Sequence, residues 1–199
     1  MLNLILAGVG GQGTVLASKL LAQAAINRGL DVRTAETIGM AQRGGSVTSH
    51  VRIGQDLYSP LVALDTADII LGMEPSEALR CLPYLKKGGS IVVSSKFIKP
   101  FTASLPGSTY EENLIWQCLG DHCKNISVID GGKICDACGS TKVLNIALLG
   151  AASNLRQLNL TLVDLEKAVQ EILPQKIHSI NLQALNLGAQ SARKGETAL

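Results

Sequence analysis

Aromatic side chains are scarce in this chain, with two Phe, one Trp and three Tyr among 199 residues. A platform that stacks the bases of single-stranded nucleic acid needs more of them. Charge of one sign is lacking too. Eighteen Lys and Arg face sixteen Asp and Glu, a formal net charge of +2. That balance gives no electrostatic case for nucleic acid or an anionic membrane as the main partner. No apolar run reaches the length of a membrane span, because Leu2–Ala7 gives way to glycines and then to a stretch carrying Lys19 and Gln23. The first residues show neither a basic region ahead of an apolar one nor a small-residue cleavage site, so no signal peptide is expected. Cysteine stops at five, an odd number, and without an export signal the expectation is reduced thiols in the cytoplasm.

What is present is a globular composition, 46% hydrophobic and 17% charged, in a length that one core can serve. No repeat, low-complexity tract or long linker divides it. One domain over 1–193, with a polar tail over 194–199, is the reading.

The chain is organised around Gly8-Val9-Gly10-Gly11-Gln12-Gly13. An apolar strand, Leu2 to Ala7, precedes it, and Thr14 to Arg28 follows with helical spacing and Gly29 as its C′ residue. Strand, glycine turn and helix make a place where backbone N–H groups and a helix N-terminus can face an anion. The same turn can equally serve close packing of strand on helix. A strand over Asp31–Thr37 places Glu36 about 25 residues after the glycines, where a dinucleotide fold sets its ribose-binding carboxylate. A solvated carboxylate at a strand end is the competing reading.

A second glycine loop follows, Gly39-Met40-Ala41-Gln42-Arg43-Gly44-Gly45-Ser46, with one cation. From Ser46 to Ile53 the chain alternates, Val47, Val51 and Ile53 on one face and Thr48, His50 and Arg52 on the other. That pattern suggests an edge or surface-facing strand, with His50 solvated or at a subunit contact rather than a catalytic base. A strand over 68–73 leads into Glu74 and Pro75, with Pro75 as the first helical residue. The helix after it runs through Leu79, Leu82 and Leu85 toward Gly88-Gly89, kinked or shortened at Pro83. Strands over 90–95 and 125–130, helices over 110–122 and 141–158, an amphipathic helix over 162–173 capped by Thr161, and a last helix over 179–193 complete the reading. Residues 96–109 read as loop. Strands alternating with helices give a three-layer α/β/α, Rossmann-like fold around a mostly parallel sheet.

Several stretches are more specific together than singly: the Gly8–Gly13 turn, the loop Met40-Ala41-Gln42-Arg43-Gly44-Gly45-Ser46 with His50-Val51-Arg52 after it, Tyr58-Ser59-Pro60-Leu61, Glu74-Pro75-Ser76-Glu77-Ala78-Leu79-Arg80, and Asn145-Ile146-Ala147-Leu148-Leu149-Gly150. The series resembles the gamma-type subunits of the 2-oxoacid:ferredoxin oxidoreductases, and the form of the second loop is most similar to the small (beta) subunits of the indolepyruvate branch. The resemblance implies a small subunit, inactive alone, of an enzyme that oxidatively decarboxylates an aromatic 2-oxoacid such as indolepyruvate. Coenzyme A is then a substrate, ferredoxin the acceptor, and thiamine diphosphate and iron–sulfur clusters belong to a large partner subunit. It also implies a hetero-oligomer, with a homodimer open to the isolated chain. The absence here of a thiamine-binding Gly-Asp-Gly and of a ferredoxin-like cysteine run agrees with that division.

The site this implies lies on the coenzyme A side: Gly8, Gly10, Gly11, Gln12 and Gly13 from the first loop, and Gln42, Arg43, Gly44, Gly45 and Ser46 from the second. Backbone amides and a guanidinium suit a pyrophosphate and a ribose phosphate. Arg43 is equally suited to a structural or intersubunit ion pair. No catalytic residue and no metal ligand is assigned. Cys118, Cys123, Cys135 and Cys138 have the C-x4-C and C-x2-C spacing of a zinc knuckle, but Cys118 sits in an apolar helical stretch where cysteine is an ordinary core residue. A free-standing NAD(P)- or nucleotide-dependent dehydrogenase using Glu36, and a binding module without turnover, are the alternatives.

Overall fold

The computed structural model describes residues 1–38, 44–99 and 110–194. Six strands form one sheet: β1 (Leu2–Val9), β2 (Val32–Ile38), β3 (Ser46–Ile53), β4 (Ala67–Gly72), β5 (Leu85–Ser94) and β6 (Asn125–Ile129), in the order β2-β3-β1-β4-β5-β6. β1, β4, β5 and β6 are parallel neighbours, whereas β3 pairs antiparallel with both β1 and β2. The sheet is therefore mixed, with β3 the one strand that runs against the rest.

Both faces are covered, which is why β1 and β4 carry the unbroken apolar runs Leu4–Ala7 and Ile69–Leu71. Leu4, Leu6, Ile69, Leu71 and Val92 pack on one side with α1 (Thr14–Asn27), α5 (Leu144–Ala152), α6 (Leu162–Ile172) and α7 (His178–Lys194). Ile5, Ala7, Ile70, Ile91 and Val93 pack on the other with α2 (Pro75–Arg80) and α3 (Glu112–His122). Thr161 and Asp164 form the expected reciprocal cap on α6.

Four expectations need correction. β3 lies inside the sheet, because the β2–β3 hairpin folds back so that β2 takes the edge. His50 is consequently buried, 4% exposed. The helix after Pro75 stops at Arg80, and a short 3-10 turn over Leu82–Tyr84 leads directly into β5, five residues earlier than the apolar run suggested. Pro83 is the reason, since its ring and missing N–H end the helix. The long helix over 141–158 is three pieces: a 3-10 turn Thr141–Val143, then α5, then a 3-10 turn Arg156–Leu158. A further helix, α4 (Gly131–Cys138), carries no expectation from the sequence; Asp130 caps it by accepting from the Lys133 N–H, and Gly139 ends it at φ 68°.

α5 and α7 cross with almost no side chain between them. A Cβ on Gly150 would lie 1.9 Å from the Leu185 carbonyl oxygen, and one on Gly188 would lie 1.9 Å from that of Ala147. The two glycines let the backbones touch reciprocally, so α7 seals the core over α5. Gly188→Ala should therefore force the helices apart and cost at least about 3 kcal/mol. For a chain of this size that lowers the melting temperature by roughly 6–12 °C. Thermal unfolding followed by far-UV circular dichroism measures it, and a variant that melts with the parent would contradict the close crossing.

Candidate functional site

Ligands of open α/β sheets bind outside the carboxyl ends of the strands, where neighbouring connections diverge to opposite faces. Here that place is the junction of β1 and β4. β1 ends in the glycine turn, and much of the turn is spent on holding itself. Gln12 folds back so that its Oε1 accepts from the Val9 N–H at 2.8 Å, while its Nε2 donates to the Met73 carbonyl at 3.2 Å. One side-chain amide thus ties the end of β1 to the end of β4. The Gln12 N–H donates to the Val9 carbonyl at 3.1 Å, and the Gly10 N–H donates to the Gly45 carbonyl at 2.8 Å.

The glycines differ in what they do. A Cβ on Gly8 would meet Gln12 Oε1 at 2.8 Å, and one on Gly13 would meet Asn145 Nδ2 at 2.6 Å. Those two positions serve internal packing. Gly11, at φ 103°, has nothing within 4 Å of a would-be Cβ and faces open space. Gly13, at φ 78°, is the N-cap of α1 and supplies no side-chain acceptor, and the first turn of α1 holds no acidic residue. The first N–H groups of a helix have no intrahelical partner, so this end is a positive pole without a built-in anion.

The second loop returns at Gly44, Gly45 and Ser46. Gly44 is exposed with φ 74°, and its N–H reaches the Gly10 carbonyl at 3.4 Å. Ser46 donates to Glu77 Oε2 at 2.6 Å. The structure therefore brings Gly8, Gly10, Gly11, Gln12, Gly13, Gly44, Gly45 and Ser46 to one edge. Gln42 and Arg43 lie outside the described residues.

The turn from β4 into α2 carries residues that the sequence reading left without a role. Glu74, 1% exposed, caps α2 by accepting from the Glu77 N–H at 2.9 Å. Its other oxygen meets Ser76 Oγ at 3.2 Å, Tyr110 OH at 3.3 Å and the Ile98 N–H at 3.4 Å. Burial pushes its carboxyl above the ordinary value, opposed by hydrogen bonds and reinforced by the neighbouring Glu77. Asn145, also 1% exposed, donates to the Gly13 carbonyl at 3.0 Å and so joins α5 to the turn. Both had a readable signal: a Glu-Pro-Ser-Glu run straight after a buried strand, and a lone amide in an apolar helix.

Other candidates fall away from this edge. Glu36 sits on β2, separated from β1 by β3, and its carboxylate accepts from Ser18 Oγ on α1 at 3.1 Å. In a dinucleotide fold that carboxylate would stand on the strand beside β1. His50 Nδ1 accepts from the Val62 N–H at 3.2 Å, and its ring meets Tyr84 edge-on at 5.5 Å. The cysteines divide between faces, Cys123 in the α2–α3 core and Cys135 and Cys138 in the opposite one. Among the described residues no group of three His, Cys, Asp or Glu side chains is placed to hold a metal ion, and no helix is long and apolar enough to cross a membrane.

Comparison with known proteins gives a consistent picture. The family model for pyruvate ferredoxin/flavodoxin oxidoreductase matches residues 3–191. The chain is 35% identical to indolepyruvate oxidoreductase subunit IorB of Archaeoglobus fulgidus over 98% of this chain and 96% of that one. It has the fold of the gamma subunit of a keto/oxoacid ferredoxin oxidoreductase from Geobacter sulfurreducens, with a TM-score of 0.71 at 24% identity over 98% of this chain and 99% of that one. A 2-oxoglutarate:ferredoxin oxidoreductase from Magnetococcus marinus, solved with 2-oxoglutarate, coenzyme A and succinyl-CoA, contains the same fold with a TM-score of 0.72 at 22% identity; the match spans 99% of this chain and 32% of that one.

The His50 geometry sets a pH dependence. Nδ1 can accept from Val62 only while unprotonated, and burial holds the imidazole below its ordinary 6.5. The unfolded chain takes up that proton near pH 6.5 while the folded chain resists it, so this residue removes stability as pH falls below about 6.5. Unfolding curves at about pH 7.5 and 5.5 should show a larger loss for the parent than for His50→Gln. Equal losses would mean that His50 is protonated at no cost in the folded protein.

Proposed function

The chain belongs to the pyruvate ferredoxin/flavodoxin oxidoreductase family, and from that premise we propose that it is the small subunit of a coenzyme A-acylating 2-oxoacid:ferredoxin oxidoreductase acting on indolepyruvate or a related aromatic 2-oxoacid. The observation that carries this reading is the end-to-end likeness to an indolepyruvate oxidoreductase subunit, 35% identical with nearly all of both chains covered. Oxidation takes place on the large partner, which holds thiamine diphosphate and iron–sulfur clusters and delivers electrons to ferredoxin. The two chains act as a hetero-oligomer in the cytoplasm, a location that the five unpaired cysteines favour. The isolated small subunit can form a homodimer in the partner's absence.

This chain's part is the coenzyme A side of the site. Coenzyme A is a substrate whose thiol receives the acyl group and whose pyrophosphate and ribose phosphate need positive poles. The Gly10 and Gln12 N–H groups are already engaged. Among the described residues, the donors left for a phosphate are the N–H groups of Gly11, Gly13 and the first turn of α1, an end without a side-chain cap. Gly8 and Gln12 contribute by holding the turn in shape, and Gly44, Gly45 and Ser46 by anchoring the second loop beside it. Gln42 and Arg43 supply the side chains of that loop, Arg43 as the guanidinium for a second phosphate.

Purified alone, the chain should give no turnover with an aromatic 2-oxoacid, coenzyme A and a low-potential acceptor; with the large subunit it should. Arg43→Ala in the assembled enzyme should raise the KM for coenzyme A about ten- to a hundredfold, from a charge-assisted contact of roughly 1.5–3 kcal/mol, with little change in the 2-oxoacid KM. Turnover by the lone chain would overturn the subunit reading. Tight NAD binding to the lone chain, lost in Glu36→Ala, would replace it with the dehydrogenase.

A further inference from the structure

Glu74 is a buried acid, 1% exposed. Among the described residues no Lys or Arg forms an ion pair with it, and the next carboxylate on the turn, Glu77, has taken the available one, with Arg80 Nε at 3.4 Å. A carboxylate held out of water beside a second carboxylate, and met among the described residues by hydroxyl and amide donors, is costly to ionise. Its surroundings accommodate a proton well. Ser76 Oγ and Tyr110 OH lie 2.6 Å apart, and each is within 3.3 Å of the same Glu74 oxygen. Three contacts join these three groups, and the two hydroxyls bring only two hydrogens. A neutral Glu74 brings the third.

The groups that meet Glu74 come from two separate parts of the chain. Ile98 follows β5, and Tyr110 stands just ahead of α3. Phe97 packs edge-on against both Tyr110 and Trp116, with ring centres 6.2 and 5.7 Å away. We propose that Glu74 is a positioning residue that clamps Ile98 to Tyr110 through a proton-bearing carboxyl, so that gain or loss of one proton tightens or loosens this side of the carboxyl edge. Among the described residues, the charged and titratable groups facing the clamp are Glu77 and, behind it, Arg80 on α2, Tyr110 itself, and beyond the phenol Lys99 and Glu112, which pair with each other at 3.4 Å. The sign follows from burial raising the Glu74 carboxyl above its ordinary 4.5: the proton stays on in the folded chain at a pH where the unfolded chain has lost it, and the clamp weakens as pH rises through the raised value. The inference does not depend on what the glycine loops bind.

Trp116 is the chain's one tryptophan, and through Phe97 it reports on the clamp. Acrylamide quenching of its emission in the full-length chain, between about pH 5 and 8, is the test. The parent should become more quenchable as pH rises. Glu74→Gln, which keeps a donor facing the hydroxyls, should lose the transition and stay at the protected level. Tyr110→Phe, which leaves the carboxyl and the α2 cap in place, should also lose the transition but stay at the quenchable level. Far-UV circular dichroism confirms that each variant is folded. A transition that persists unchanged in Glu74→Gln would have another origin and would overturn the proposal. So would a parent whose quenching does not change with pH.

Discussion

One side-chain amide fixes the geometry of the carboxyl edge. Gln12 closes the glycine turn on Val9 with its oxygen and reaches the Met73 carbonyl with its nitrogen. β1 and β4 are the strands whose connections part to opposite faces of the sheet, so this amide bridges the crevice that such sheets use for ligands. Gly8 has no side chain because Gln12 and Met73 occupy the space, and Gly13 has none because Asn145 does. The turn is thus braced from β4 on one side and from α5 on the other, which leaves Gly11 and the start of α1 facing outward from a rigid frame. A preorganised set of N–H groups binds an anion without the cost of ordering a loop.

The β4–α2 turn extends that frame to its neighbours. Glu77 takes the Ser46 hydroxyl at the root of the second glycine loop, and Glu74 takes Ile98 and Tyr110 on the far side. Two acidic side chains three residues apart therefore fasten elements that are distant in sequence. Their placement is costly in itself, and the helix cap, Arg80 and the hydroxyls offset it. A position held this way is a means of setting loop geometry rather than a source of stability.

Much of this was legible in the chain. The run Leu2–Ala7, the glycines and the periodicity of α1 mark a strand–turn–helix, Pro75 marks the first residue of α2, and Thr161 with Asp164 marks the start of α6. The glycine turn lies at the carboxyl end of β1, where a strand–turn–helix reading puts it. What was hidden depends on partners distant in sequence. Alternation in 46–53 is the same for a solvated face and for one covered by a later loop, so His50 read as exposed until Val62 and Tyr84 were placed on it. Glu36 has the dinucleotide spacing, yet the hairpin puts β3 where the spacing rule assumes β2. α4 has two glycines and two cysteines in eight residues, and neither propensity nor periodicity marks it; only its caps do. Glu74 read as the residue before a proline because its hydroxyl and amide donors come from residues 76, 98 and 110.

The account rests on the claim that the edge braced by Gln12 receives the phosphates of coenzyme A in the assembled enzyme. Hydrogen–deuterium exchange of the complex with and without coenzyme A tests it most directly. The account predicts slower exchange on binding in the peptides covering 8–16 and 39–46, with the α5–α7 crossing unchanged. Coenzyme A that binds the complex and leaves both of those stretches exchanging as before would contradict it.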